Sequence, residues 1–174
     1  LNRCRYAGVY TPDLMLSGGD AGIGPVPQRW WAVALPGGEL RERTTFGAGG
    51  VALEGSTARV EAPGARIELT LDESAGIEIV SPVGDRGAYI WTRKQACVPV
   101  RGSVELDGER HEIDCDAGFV DDSAGYHPRH TAWKWSAGVG RAVDGRRVGW
   151  SLVTGHHGRP VARGRTVWVG GEPQ

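Results

Sequence analysis

Lysine is nearly missing from this 174-residue chain, methionine occurs once, and cysteine occurs only at Cys4, Cys97 and Cys115. Three widely spaced cysteines with no Cys-x-x-Cys do not make a disulfide framework. They read as free, partly buried thiols in a reducing compartment, so a cytoplasmic location is the expectation. No sign of charge dominates: 20 basic and 21 acidic residues leave a net charge of -1. That balance argues against a dedicated nucleic-acid or anionic-membrane surface. No apolar run reaches the roughly 18 residues of a transmembrane helix. No window of about 10 to 12 residues shows apolar spacing of three and four without an intervening Gly or Pro, so substantial helix is not expected. A Gly-x-Ser-x-Gly elbow, a Walker loop, a strand-linked dinucleotide fingerprint and a His-Glu-x-x-His word are also absent.

What is present is period-two alternation between glycine-rich turns. Val51 and Leu53 alternate, as do Ala58 and Val60, then Ile67, Leu69 and Leu71. Ile77 and Ile79, Val104 and Leu106, and Ile113 and Cys115 continue the pattern. Each set puts apolar side chains on one face of a short strand. Many short strands between turns predict an all-β, antiparallel barrel or barrel fragment, or a two-sheet sandwich. Gly37-Gly38, Asp107-Gly108 and Asp144-Gly145 each read as two-residue type I′ hairpin turns. For the last, this predicts Val139 opposite Trp150 and Ala137 opposite Leu152, with Trp135, Trp150 and Leu152 on one face.

The expected organisation is one domain over 1–174, with a possible internal boundary between Pro82 and Arg86. The chain starts at Leu1 and stops soon after a strand-like Arg165–Val169, and it reads as an excerpt of a longer two-barrel protein whose remainder packs against it.

Two stretches could carry chemistry. In Tyr89–Gln95, alternation places Tyr89, Trp91 and Arg93 on one face and Ile90, Thr92 and Lys94 on the other. Aromatic rings beside a guanidinium suit a ligand cavity, and equally a barrel rim from which Arg93 reaches outward. The densest polar cluster is Asp121-Asp122-Ser123-Ala124-Gly125-Tyr126-His127-Pro128-Arg129-His130, which leads into Trp133, Lys134 and Trp135. Adjacent Asp121 and Asp122 point to opposite sides of an extended chain, so no carboxylate dyad is implied. Either could orient His127 or His130, or be held protonated by burial and donate a proton. The bland alternative is an ordered loop with aspartates capping backbone N–H groups. His127, His130, His156 and His157 would supply metal ligands, but His-x-x-His on a loop is a weak signal, so no metal and no cofactor is expected. Ser17–Gly24 is glycine-rich without a following helix and reads as a loop.

The words Tyr89-Ile-Trp-Thr-Arg-Lys-Gln95, Asp121-Asp-Ser-Ala-Gly-Tyr-His127, Trp133-Lys-Trp-Ser-Ala-Gly-Val-Gly140 and Arg165-Thr-Val-Trp168 together resemble the bacterial DUF2804 family. That family is in turn remotely similar to the AttH and hydroxyneurosporene-synthase group. This resemblance implies lipocalin-like (calycin) barrel halves and, in some members, addition of water across an isoprenoid double bond. It carries no catalytic residue to a numbered position here. This chain also has Ser151 where the family pattern has Asn, and lacks the Ser-Glu that precedes the Arg-Thr-Val-Trp word.

The expected function is binding of a small apolar, lipid- or isoprenoid-like molecule by Tyr89, Trp91, Arg93, Lys94, Tyr126, Trp133, Trp135 and Trp150. Asp121, Asp122, His127 and His130 form the polar end. The alternative is a hydratase-like enzyme in which Asp121 or Asp122 is the acid, and a third reading is a structural or interaction domain.

Overall fold

The computed structural model describes residues 1–47, 49–74, 76–83, 87–127, 132–154 and 165–174. Every regular element among them is a strand, and no helix is long and apolar enough to cross a membrane. The larger sheet contains β1 (Asn2–Tyr10), β2 (Met15–Ile23), β3 (Val26–Ala34), β4 (Leu40–Phe46), β5 (Val51–Glu54), β6 (Thr57–Ala62), β7 (Ala65–Leu71), β8 (Ile77–Val83), β9 (Ala88–Leu106) and β10 (Glu109–Gly125). Its order is β4-β3-β2-β1-β10-β9-β7-β6-β5, with β8 paired to the first half of β9. A second sheet runs β11 (Lys134–Arg141), β12 (Arg147–Thr154), β13 (Arg165–Val169) and β14 (Glu172–Pro173). All pairings are antiparallel.

The alternation read from the sequence sets the inside of the curl. In β7, Ala65, Ile67, Leu69 and Leu71 are buried while Arg66, Glu68 and Thr70 are exposed. Curling brings β5 against β2 and β1, and the lumen fills with Val9, Val33, Val100, Val104 and Val120, none more than 1% exposed. The long β9–β10 hairpin turns at Asp107-Gly108, where φ values of 49° and 89° are those of the expected type I′ turn. It bends where the register shifts between Cys115 and Phe119, opposite Cys97, whose φ is 58°. A bulge of this kind increases local twist and lets two long strands serve two layers.

Two hairpins differ from expectation by one residue of register. Ala142 N–H donates to Arg146 O and Gly145 N–H to Ala142 O, both at 2.9 Å, so the loop holds three residues rather than two. Only Gly145 has positive φ there, which gives a type I turn closed by a left-handed glycine. Gly138 therefore faces Trp150, and Ser136 faces Leu152. Because side chains alternate strictly, this slip moves Trp150 and Leu152 to the face opposite Trp135. Pro36-Gly37-Gly38 is likewise a three-residue loop, with Leu35 N–H bonded to Glu39 O at 2.9 Å. Proline presets its first position, so the turn starts one residue earlier than Gly37.

The face of the second sheet carrying Trp135, Ala137, Val139, Ser151 and Trp168 packs on the outside of the first, against Ala96, Cys97 and Phe119. Gly149 makes this approach possible, because a Cβ there would collide with the Ala96 methyl.

Candidate functional site

The two neighbouring aspartates are separated by the sheet itself. Asp122 points into the lumen end and Asp121 outward, under the second sheet. Along the inner face the register Arg29–Asp20–Arg5–Asp122–Arg93 alternates charge across five strands. Arg5 Nη1 donates to both Asp122 oxygens at 2.8 and 2.9 Å, and Arg93 Nε reaches Oδ2 at 3.2 Å. Glu73 closes the group by accepting from both Arg5 and Arg93, and Arg5 also donates to Gly55 O at 2.7 Å. Asp122 is thus held by two guanidinium groups through charge-assisted hydrogen bonds. Its surroundings are those of a structural clasp at the barrel end.

Asp121 lives in different company. Lys94 is directly across from it on β9 and Tyr6 on β1, so three polar side chains share one patch of outer face. Lys94 Nζ is bonded to Asp121 Oδ2 and stands 5.6 Å from the Trp135 ring centroid. Tyr6 meets Trp135 edge-on at 5.4 Å and 89°, and its hydroxyl pairs with that of Tyr10 at 2.9 Å. Trp135 is oriented from behind, its Nε1–H donating to Ser151 Oγ at 3.2 Å. Phe119 lies beneath, 6.0 Å from Trp135 and 6.3 Å from Trp168.

Burial pushes the Asp121 carboxyl above the usual carboxylate range, more than the Lys94 ammonium pulls it down. Burial likewise raises both phenols, the bond from Tyr10 opposing this at Tyr6. Nearby, burial pushes the Cys4 thiol up to about 11, helped by the charges of Asp121, Asp122 and Asp20 and opposed by Lys94. A raised thiol pKa keeps the unreactive protonated form at neutral pH. Alkylation of Cys4 by iodoacetamide at pH 8 is therefore expected to run roughly a hundredfold or more below that of a free thiol. It should climb steeply as the pH approaches 11 and speed up in Asp121→Asn. Peptide mass spectrometry follows this directly; labelling at the free-thiol rate defeats it.

The other residues singled out in the sequence are dispersed. Lys94 bonds Asp121 and stands over Trp135, whereas Arg93 joins Asp122 on the inner face. Trp91 donates its indole N–H to Glu78 at 2.9 Å. Tyr89, Tyr126 and Trp133 are exposed. Trp150 lies on the outer face of the second sheet, its N–H on Ser136 Oγ at 3.1 Å and its ring over Gly138. His127 is part-buried, with no partner for Nδ1 among the described residues. His130, His156, His157 and Arg129 fall outside the described residues. Among the described residues no three His, Cys, Asp or Glu side chains converge as a metal site. Sequence reasoning missed Tyr6, Tyr10 and Phe119. The first two carried a signal in the spacing Tyr6-x-Gly8-x-Tyr10, but nothing local says that β1 pairs with β10.

The structure is similar to kievitone hydratase from Nectria haematococca, at TM-score 0.65 and 13% identity, over 99% of this chain and 63% of that one. It is also similar to an AttH protein from Nitrosomonas europaea, at TM-score 0.58 and 14% identity, over 99% of this chain and 67% of that one. The chain thus spans about two thirds or less of the length of each. At such identities the likeness establishes the fold: an all-β, antiparallel, curled half-barrel of the calycin or lipocalin-like kind. No curated protein matches the chain in sequence. The family described as "Domain of unknown function (DUF2804)" matches residues 44–172, most of the chain, and the protein belongs to that family.

Proposed function

We propose that Asp121 is the acid of a hydratase-like site that adds water to a carbon–carbon double bond of an apolar, isoprenoid-like substrate. The carrying observation is a part-buried carboxyl with a raised pKa, set between Tyr6 and Lys94, both of which border the Trp135 indole where two sheets meet. In the step, the Asp121 proton forms a C–H bond as the π bond breaks, leaving a cation on the second alkene carbon. Water attacks that carbon and returns a proton to the carboxylate, so the sum is alkene plus water to alcohol. The Lys94 ammonium already stands over Trp135, which supports that ring as a seat for positive charge. Lys94 would hold the carboxylate between proton transfers. Kinship of fold with an enzyme named as a hydratase supports the reading by analogy only.

The broader statement, a fold suited to small-molecule binding or catalysis, holds either way. Carriage of a lipid inside this lumen is less well supported. The space left among Ala7, Leu16, Leu53, Val60 and Leu71 is about 10 Å³, room for about one water.

Incubation of the full chain with isoprenoid alkenes such as farnesol in ¹⁸O-water, followed by mass spectrometry, is the test. The expected product carries one labelled water, and Asp121→Asn should lower its rate by about 10²–10⁴-fold. Asp122→Asn should retain it where circular dichroism shows the fold intact. Full activity in Asp121→Asn, or no alkene consumed by the unmodified chain, ends the proposal.

A further inference from the structure

We propose that the slot between the two free strand edges is a second binding site, for a single-ring aromatic carboxylate. Among the described residues the sheet curls without closing: β4 bonds only to β3, and β5 only to β6. Between these edges lies a cavity of about 230 Å³ lined by Trp31, Arg43, Thr45, Val51 and Ala62, with Gly49, Gly50 and Glu61 along one wall. The register sets Arg43 directly across from Trp31, so guanidinium and indole share the face that borders the cavity. Trp31 is 6% exposed and Val51 4%, so both are fixed in place behind the cavity, while Arg43 is exposed.

Charge bookkeeping points to an anion. Arg41 is held by Glu39 and Asp107, Arg29 by Asp20, and Arg66 by Glu61 and Glu68. Arg43 alone of this group makes no ion pair among the described residues. Glu61 directs its carboxylate to Arg66 and meets the slot through its main chain, its N–H donating to Gly50 O at 2.6 Å. A Cβ at Gly50 would collide with the Glu61 carbonyl, and one at Gly49 with the Thr45 hydroxyl. That wall is backbone pressed against its neighbours, so the shape exists before any ligand arrives.

A guanidinium beside an indole matches a carboxylate joined to a flat ring: the fork of Arg43 takes the two oxygens and Trp31 takes the ring. The volume falls below the roughly 300–1,000 Å³ of clefts that hold drug-sized molecules, which limits the ligand to about one ring with a short side chain.

Isothermal titration of the full chain with trans-cinnamate, and separately with uncharged cinnamyl alcohol, tests this. Saturable one-to-one binding of cinnamate is expected, with the alcohol weaker by about tenfold or more, the usual value of a charge-assisted bond. Arg43→Leu should weaken cinnamate to the level of the alcohol. Arg59→Leu, on the outer face of β6, and Asp121→Asn should both leave its affinity unchanged. Loss in Asp121→Asn would move the ligand to the other site and overturn the assignment. So would equal affinity in Arg43→Leu, or the absence of saturable binding at millimolar cinnamate.

Discussion

Replacing Asp122 with alanine is expected to destabilise the chain by about 2–4 kcal/mol, somewhat less than breaking a fully buried pair because water still reaches this one. The side chains of Arg5, Arg93, Asp122 and Glu73 are 19, 22, 14 and 9% exposed. Each is bound by two others, so deleting Asp122 leaves two guanidinium groups facing each other with only Glu73 between them. The cost is the uncompensated charge more than the lost attraction, which yields a second expectation. Replacing Arg5, Glu73, Arg93 and Asp122 together with apolar residues of similar size should recover most of the loss. Arg101→Ala is the control, because its pair with Asp114 is about 80% exposed on both sides; such pairs are worth about 0–1 kcal/mol. Urea midpoints decide the matter. An Asp122→Ala midpoint equal to that of Arg101→Ala would show that the clasp holds nothing.

Phe119→Ala and Trp168→Ala should each cost about 3–5 kcal/mol, the range for deleting a buried aromatic from a packed core. Phe119 is fully buried and Trp168 is 2% exposed. Their edge-on contact at 6.3 Å joins the two sheets, so the loss falls on the docking of the second sheet as well as on the core. Near-ultraviolet circular dichroism should lose its aromatic signal in both variants while the far-ultraviolet strand signature largely survives. Trp150→Ala, on the outer face, should change stability by roughly a quarter of that amount or less. Equal midpoints for Trp168→Ala and Trp150→Ala would contradict the packing described here. This prediction also tests the candidate site, because Trp135 and Tyr6 rest on Phe119.

Strand identity and facing were legible in the residues because both are local properties. Ile67, Leu69 and Leu71 alternate with charged or polar neighbours, and only a half-buried strand satisfies that pattern. The opposite facing of Asp121 and Asp122 follows from the same geometry, as does the division of Tyr89–Lys94 between two faces. The Asp107-Gly108 turn was legible too, because its two positions of positive φ require such residues. Asp144-Gly145 was misread for an equally local reason. The same dipeptide also closes a type I turn one residue longer, and the choice between the two depends on which cross-strand partners pack best. That choice carried Trp150 away from Trp135.

Partnership was decided by tertiary structure alone. Nothing near Tyr6 announces that it will stand beside Asp121, 115 positions further along the chain, nor that Arg5 will meet Asp122 on the other side of the same strand. These pairings come from sheet order, which depends on how all the strands bury their apolar faces together. By itself the sequence determined an all-β chain with two opposite-facing aspartates, because backbone alternation needs no partner. Tertiary structure placed one of those aspartates in a clasp of two arginines and the other, part-buried, between Tyr6 and Lys94, because desolvation and charge pairing depend on what lies across the sheet.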